Sequence, residues 1–224
     1  MTRDALWKRR RKLGVGKLCA VAAMTAILLS CGPVPFNVNV SLFVPESYLA
    51  GTMPLPGESQ EIPAETTNLG AMTWQVPLHD LRVAIDLSSG LPATALSEAT
   101  MTVTLETALD PPDTSVTVDA DATVTIYLAA ASTDDLWQAE WSSGAGEIRL
   151  AFSEPITLEA PLTPTQVEAL SAGRIKLGLE IAAPEVRVTG TASGFAQLDG
   201  FLYEIHEIRL VGTAEASLGQ LGGQ

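Results

Sequence analysis

Apolar side chains occupy every second position across residues 116–128: Val116, Val118, Ala120, Ala122, Val124, Ile126 and Leu128. Thr117, Asp119, Asp121, Thr123 and Thr125 fill the places between. Successive strand residues point to opposite faces, so this run has one dry face and one wet face. The same alternation appears at Phe36, Val38, Val40, Leu42 and Val44, and at Met101, Val103 and Leu105. Ile175, Leu177, Leu179 and Ile181 repeat it, and Val186 with Val188 give a shorter strand. Two runs change parity part way. Trp74, Val76 and Leu78 give way to Leu81, Val83, Ile85 and Leu87, which places a bulge near Pro77–His79. Ile205, Ile208 and Leu210 place a second near His206.

The punctuation between these runs completes the outline. Pro45, Pro54, Pro56 and Pro63 make residues 45–70 a long surface loop. Ser142-Ser143-Gly144-Ala145-Gly146 reads as the turn of a hairpin spanning 136–152. A single helix fits near 164–172. Thr163 and Gln166 make its capping box, Pro164 takes the first helical position, Val167 and Leu170 share a face, and Gly173 stops it. Its length suits a crossing from one sheet to the other. The fold class is therefore all-β: an antiparallel two-sheet β-sandwich of nine or ten strands with one short crossover helix, a closed β-barrel being the alternative. The pattern argues against a transmembrane barrel, whose outer face is apolar with aromatic girdles, because the second face here is Thr, Asp and Glu.

The first 31 residues carry a different message. Arg3, Lys8, Arg9, Arg10, Arg11, Lys12 and Lys17 precede an apolar run at 18–29 that is too short to span a bilayer comfortably. This is the layout of a secretory signal. It ends in Leu28-Leu29-Ser30-Cys31, which resembles the lipobox of bacterial lipoproteins. The resemblance covers residues 1–31 only, and Leu29 is larger than the residue usual there. It implies that Cys31 is lipidated through its thiol, that the signal is cut just before it, and that several acyl chains anchor the product stably. The chain then divides into a signal peptide at 1–30, a short lipidated tether at 31–35, one sandwich domain at 36–215, and a flexible tail at 216–224. Cys19 leaves with the signal, so the mature chain has no disulfide and rests on its core. Gly32 rather than Asp follows the cysteine, which by the same resemblance favours an outer membrane.

Removing the signal changes the charge. Residues after the cleavage point hold six basic and 25 acidic side chains, a formal charge of −19, with Lys176 the one lysine. Such a surface repels nucleic acid and anionic headgroups, so lipid rather than charge holds it to a membrane. Catalytic constellations are missing from the pattern. His206-Glu207 opens like a zinc-protease motif, but Leu210 stands where the second ligand belongs, and His79-Asp80 has no nucleophile motif beside it. The chain is read as no enzyme and as needing no cofactor.

Three weaker candidates remain. Asp110 and Asp113, Asp119 and Asp121, and Asp134 and Asp135 are candidate calcium ligands, if loops bring them together. Trp137 and Trp141, read as sharing one strand parity, are core if inward and a stacking surface for sugar or partner if outward; Tyr48 is a further contact candidate. Ala120, Ala122, Ala182 and Ala192 along an inner face would leave room for a small ligand or lipid. The expected function is a non-enzymatic binding or structural module of the cell envelope, with an envelope protein as partner. A lipid carrier and a glycan-binding or hydrolytic module are the alternatives.

Overall fold

The computed structural model describes residues 34–56, 60–81, 94–112, 115–151, 154–171, 174–190 and 196–216. Cys31, the signal, Asp113, Ala192 and most of the tail lie outside them. Among the described residues, twelve strands and two short helices make an all-β sandwich in which every strand pairing is antiparallel.

Sheet 1 is built on β5 (Thr94–Asp110) and β12 (Gly200–Ala216), which pair along their whole lengths. At 17 residues each they run for about 55 Å. The far side of β12 is shared by β1 (Val34–Asn39) and β2 (Ala50–Pro54), and β9 (Ile156–Pro161) flanks β5. Sheet 2 follows the same plan. Its long pair is β4 (Thr66–Leu81) and β10 (Ile175–Gly190). The far side of β10 is shared by β6 (Val116–Asp119) and β7 (Asp121–Ala130), and β8 (Ser142–Arg149) pairs with β7. A third, two-stranded sheet, β3 (Gln60–Ile62) with β11 (Ala196–Leu198), lies at the end where β12 begins.

The inward residues interdigitate into one core. Ile126, Leu128, Ile175, Leu177, Leu179 and Ile181 from sheet 2 meet Met101, Leu105, Phe201 and Ile208 from sheet 1, all 2% exposed or less. Trp74 belongs to this core and stands edge-on to Phe201 at 5.6 Å between ring centroids. Its indole Nε1 donates to the Pro54 carbonyl at 2.9 Å, which satisfies the polar tip.

Both bulges read from parity are present. The β4–β10 register slips between Lys176 and Gly178, opposite Pro77 and Asp80. The β5–β12 register slips between Ile205 and Glu207, leaving His206 as the extra residue. The crossover helix, α2 (Pro164–Ser171), carries the chain from β9 in sheet 1 to β10 in sheet 2. Its capping box is reciprocal. Gln166 N donates to Thr163 Oγ1 at 3.3 Å, and Thr163 N donates to Gln166 Oε1 at 2.9 Å.

Several expectations need correction. Residues 45–70 are not a structureless loop: they hold α1 (Glu46–Leu49), β2, β3 and the start of β4. The prolines sit where they do little harm, Pro45 before the helical turn and Pro54 at a strand end. The first strand stops at Asn39, not at residue 44, because the Asn39 side chain accepts from Ser41 N at 3.0 Å and caps a 3-10 turn over Val40–Phe43. The two strands expected at 175–181 and 186–188 are one bent strand, β10. Pro184 cannot donate within a sheet, and the register shifts between Ala183 and Val186 absorb it. The partner strand breaks at the same level, between Asp119 and Asp121, so the run at 116–128 is β6 and β7 rather than a single strand.

The hairpin expected at 136–152 is also absent. Residues 142–146 are not its turn but most of β8, with Ala145 inserted as a bulge where Thr125 faces Gly144 and Val124 faces Gly146. Gly146 adopts φ 135°, a conformation that disfavours any side chain. Ile156 and Leu158 extend no hairpin; β9 has already changed to sheet 1. Ala120 and Ala122 face inward as expected, but Ala182 lies between buried Ile181 and Ala183 and faces out.

Candidate functional site

The dry-face, wet-face rule fails at one place, and a site forms there. On β7 the inward parity is Val124, Ile126 and Leu128, yet the outward Tyr127 and Ala129 are buried too, at 7% and 0% exposure. Residues 131–141 fold back over the outer face of sheet 2 and cover them with Leu136, Trp137 and Trp141. Local bonds shape this cover. Thr133 N donates to the Ala130 carbonyl at 2.9 Å, and Ala131 N to the Arg174 carbonyl at 3.0 Å. Trp137 N donates to Asp135 Oδ1 at 3.0 Å, and Lys176 Nζ donates to the Thr133 carbonyl at 2.5 Å.

Across the sheet, Tyr127 pairs with Gly178 and Gly178 with Pro77. The bare Gly178 makes the seat for Trp137: a Cβ there would stand 2.7 Å from Trp137 Cη2. Tyr127 braces the indole edge-on, with centroids 5.1 Å apart and planes at 65°. The tyrosine hydroxyl donates to Glu180 Oε1 at 3.3 Å, and Glu180 Oε2 accepts from Gln75 Nε2 at 3.0 Å. Burial pushes the Tyr127 pKa above its ordinary value, and the Glu180 charge and hydrogen bond push the same way. Beside the indole opens a cleft of about 230 Å³, lined by Pro77, Asp134, Asp135, Leu136, Trp137, Lys176 and Leu177.

Of the candidates named from sequence, Asp134, Asp135 and Trp137 are brought together here. Trp137 is neither on a strand nor in the central core, because the chain from Leu136 to Trp141 is turn and 3-10 helix, so no strand parity relates it to Trp141. Ile148 covers neither indole; it pairs with Ala122 on the inner side. Trp141 packs between the two clusters, and its buried Nε1 has no partner among the described residues. Its carbonyl accepts from Gln166 Nε2 at 2.5 Å.

The remaining candidates lie apart. Asp110 ends β5 at the opposite end of the sandwich, where its carbonyl accepts from Asp199 N at 2.7 Å. Asp119 holds Arg149 at 3.3 Å, and Asp121 faces the same arginine in the register. A guanidinium therefore sits where a cation was expected. Among the described residues no three His, Cys, Asp or Glu side chains are placed to hold a metal ion. Tyr48 belongs to α1 and packs half-buried against the main core, so it is no free loop contact.

A second depression, of about 410 Å³, lies over β2, β12 and β5, where the small Ala50, Gly51, Thr52 and Ala108 alternate with Leu202, Tyr203, Glu106 and Glu204. His206 stands next to it, Nε2 3.0 Å from Glu106 and Nδ1 3.7 Å from Glu204. It is the larger hollow, but it lacks an indole to stack against and a lysine.

Tyr127, Gly178, Pro77 and Lys176 were not singled out from sequence as parts of this cleft. Tyr127 offered the one available signal, a large aromatic at an outward position of the most regular strand. No described helix is long and apolar enough to cross a membrane.

No family model matches the chain, and no curated protein matches it. Among solved structures it is similar to the VP2 subviral particle of infectious bursal disease virus, at 8% identity over 82% of this chain with a TM-score of 0.23. It is also similar to the structure of the Gx strain of that virus, at 12% identity, 83% coverage and a TM-score of 0.23. A third likeness is to the T13 particle of that virus, at 11% identity, 83% coverage and a TM-score of 0.24. The chain spans only 38–39% of the length of those viral chains, and likeness at this level carries no argument about its role.

Proposed function

We propose that this chain is an exported lipoprotein, held on a membrane of the cell envelope by acyl chains on Cys31, and that its sandwich serves there as a non-enzymatic binding or structural module. The observation that carries the reading is the basic leader, apolar run and Leu28-Leu29-Ser30-Cys31 ending. An all-β domain that begins at once behind the anchor is consistent with it. Strand β1 starts at Val34, paired with Ala214 near the end of β12. Two residues, Gly32 and Pro33, separate Val34 from Cys31, a reach of about 10 Å at most over three Cα–Cα steps. The sandwich end that holds Val34 and Ala214 thus stays near the lipid, and the β3–β11 end stands away from it. Gly32 after the cysteine favours an outer membrane where the cell has one. The acidic surface leaves the acyl chains as the whole of the attachment.

Metabolic labelling with an alkyne fatty acid tests this. The wild-type chain takes the label and Cys31→Ser does not, its precursor running larger by the uncut signal. Equal labelling of both chains overturns the assignment. For the module itself, crosslinking in cells followed by mass spectrometry names a partner if one dominates.

A further inference from the structure

We infer that the cleft beside Trp137 is a binding site for a neutral glycan, one sugar ring seated against the indole. The inference rests on the binding-module part of the function proposed above and is independent of the lipid anchor. A site for a small ligand combines an apolar surface with a few converging polar groups. Here the apolar surface is the indole of Trp137, with Pro77 across the cleft. The indole is half-buried yet held from behind: Tyr127 meets it edge-on, and the missing side chain of Gly178 admits it. It loses little freedom when something stacks on it, so binding is not offset by ordering.

The polar groups select the ligand class. Asp134 and Asp135 bring carboxylate acceptors, and Lys176 brings an ammonium donor, into the same 230 Å³. An anion meets the two aspartates and the overall acidity of the chain. A cation meets the lysine. A ring with many hydroxyls and no charge uses both kinds of group, and its C–H face covers the indole. The volume is below the usual range of about 300–1,000 Å³ for sites that enclose a whole drug-sized ligand. It suits a single ring at the end or edge of a longer chain that continues into solvent.

The test is titration calorimetry on the full-length chain in detergent micelles, with chitohexaose, cellohexaose and maltohexaose as neutral probes. A polygalacturonate oligomer serves as the anionic probe and a deacetylated chitosan oligomer as the cationic one. At least one neutral probe binds, and Trp137→Ala weakens it by about tenfold or more, the cost of one lost stacking contact. Trp137→Phe keeps most of the affinity. Asp134→Asn, at an exposed position that cannot unfold the chain, weakens binding about threefold while leaving the melting temperature in place. Three results overturn the inference: no neutral probe binding up to about 5 mM, equal binding by a Trp137→Ala chain that melts normally, or preference for the charged probes. None of them touches the lipidation of Cys31, which the labelling experiment reads separately.

Discussion

Replacing Gly178 by alanine tests whether the cleft floor depends on a missing side chain. The new Cβ would stand 2.7 Å and 3.1 Å from Trp137 Cη2 and Cζ3, and 3.0 Å from Leu136 Cδ2. The indole must move. Overpacking of this kind costs about 1–3 kcal/mol, and the edge-to-face contact with Tyr127 forfeits about 0.5–1.5 kcal/mol. Against this, alanine restricts the unfolded chain, which stabilises by about 0.4–1 kcal/mol. The net loss is about 0.5–4 kcal/mol. In a Trp137→Ala background two of the three close contacts vanish, and the third is a leucine methyl that can turn aside. There the same change is neutral or slightly stabilising. Urea unfolding of the four chains, wild type, each single variant and the double, measures the coupling directly. Independent sites add to within about 0.5 kcal/mol. A cost for Gly178→Ala that is the same in both backgrounds would refute the claim that Trp137 occupies the place of its side chain.

Other consequences follow from the same geometry. Gln166 is fully buried, and its Oε1 accepts from Ser143 Oγ at 2.6 Å and Thr163 N at 2.9 Å. Gln166→Leu leaves Thr163 N and the Trp141 carbonyl short of a partner, while Ser143 Oγ keeps the Pro161 carbonyl at 2.9 Å; it lowers stability by about 2–3 kcal/mol in denaturant unfolding, and a loss of less than about 0.5 kcal/mol contradicts the network. Tyr127 and Tyr203 are both raised in pKa, each chiefly by burial. The unfolded chain therefore ionises first. The stability that neutral Tyr127 contributes is whole below about pH 10 and is lost as the pH climbs through its raised folded value. Absorbance titration of the native protein shows this tyrosine ionising late, and Tyr127→Phe makes the alkaline fall in melting temperature shallower; an unchanged fall rules the tyrosine out. Phe201→Ala empties the centre of the core beside Trp74 and costs about 3–5 kcal/mol in the same denaturant assay; a cost under about 1 kcal/mol shows that the two sheets do not close on this ring.

Much of the fold was legible because period-two alternation reports directly on which face is dry. Both bulges could be read from it, since a parity change has few other causes. The capping box at Thr163 and Gln166 was equally plain, because its partners are three residues apart in sequence. What failed was whatever depended on a distant neighbour. Gly144 and Gly146 look like a turn until β7 is there to pair with them. Residues 45–70 look unstructured until β12 and β11 offer edges to β2 and β3. The candidate site was legible only in pieces. Asp134, Asp135 and Trp137 are local, but Pro77, Lys176 and Gly178 come from β4 and β10, and no spacing rule joins them. Trp137 and Trp141 misled for a related reason: their spacing reads as one strand parity, whereas the chain there is turn and 3-10 helix and the two indoles close a smaller cluster on the outside of the sheet.

The central claim is the lipid anchor, and intact-mass analysis of the protein purified from bacterial membranes tests it most directly. The expected species is a mature chain whose first residue is Cys31, heavier than the bare polypeptide by a diacylglyceryl group on sulfur, with or without a further acyl chain on the new amine. An unmodified N-terminal peptide, or a chain that still carries residues 1–30 in the membrane, would contradict it.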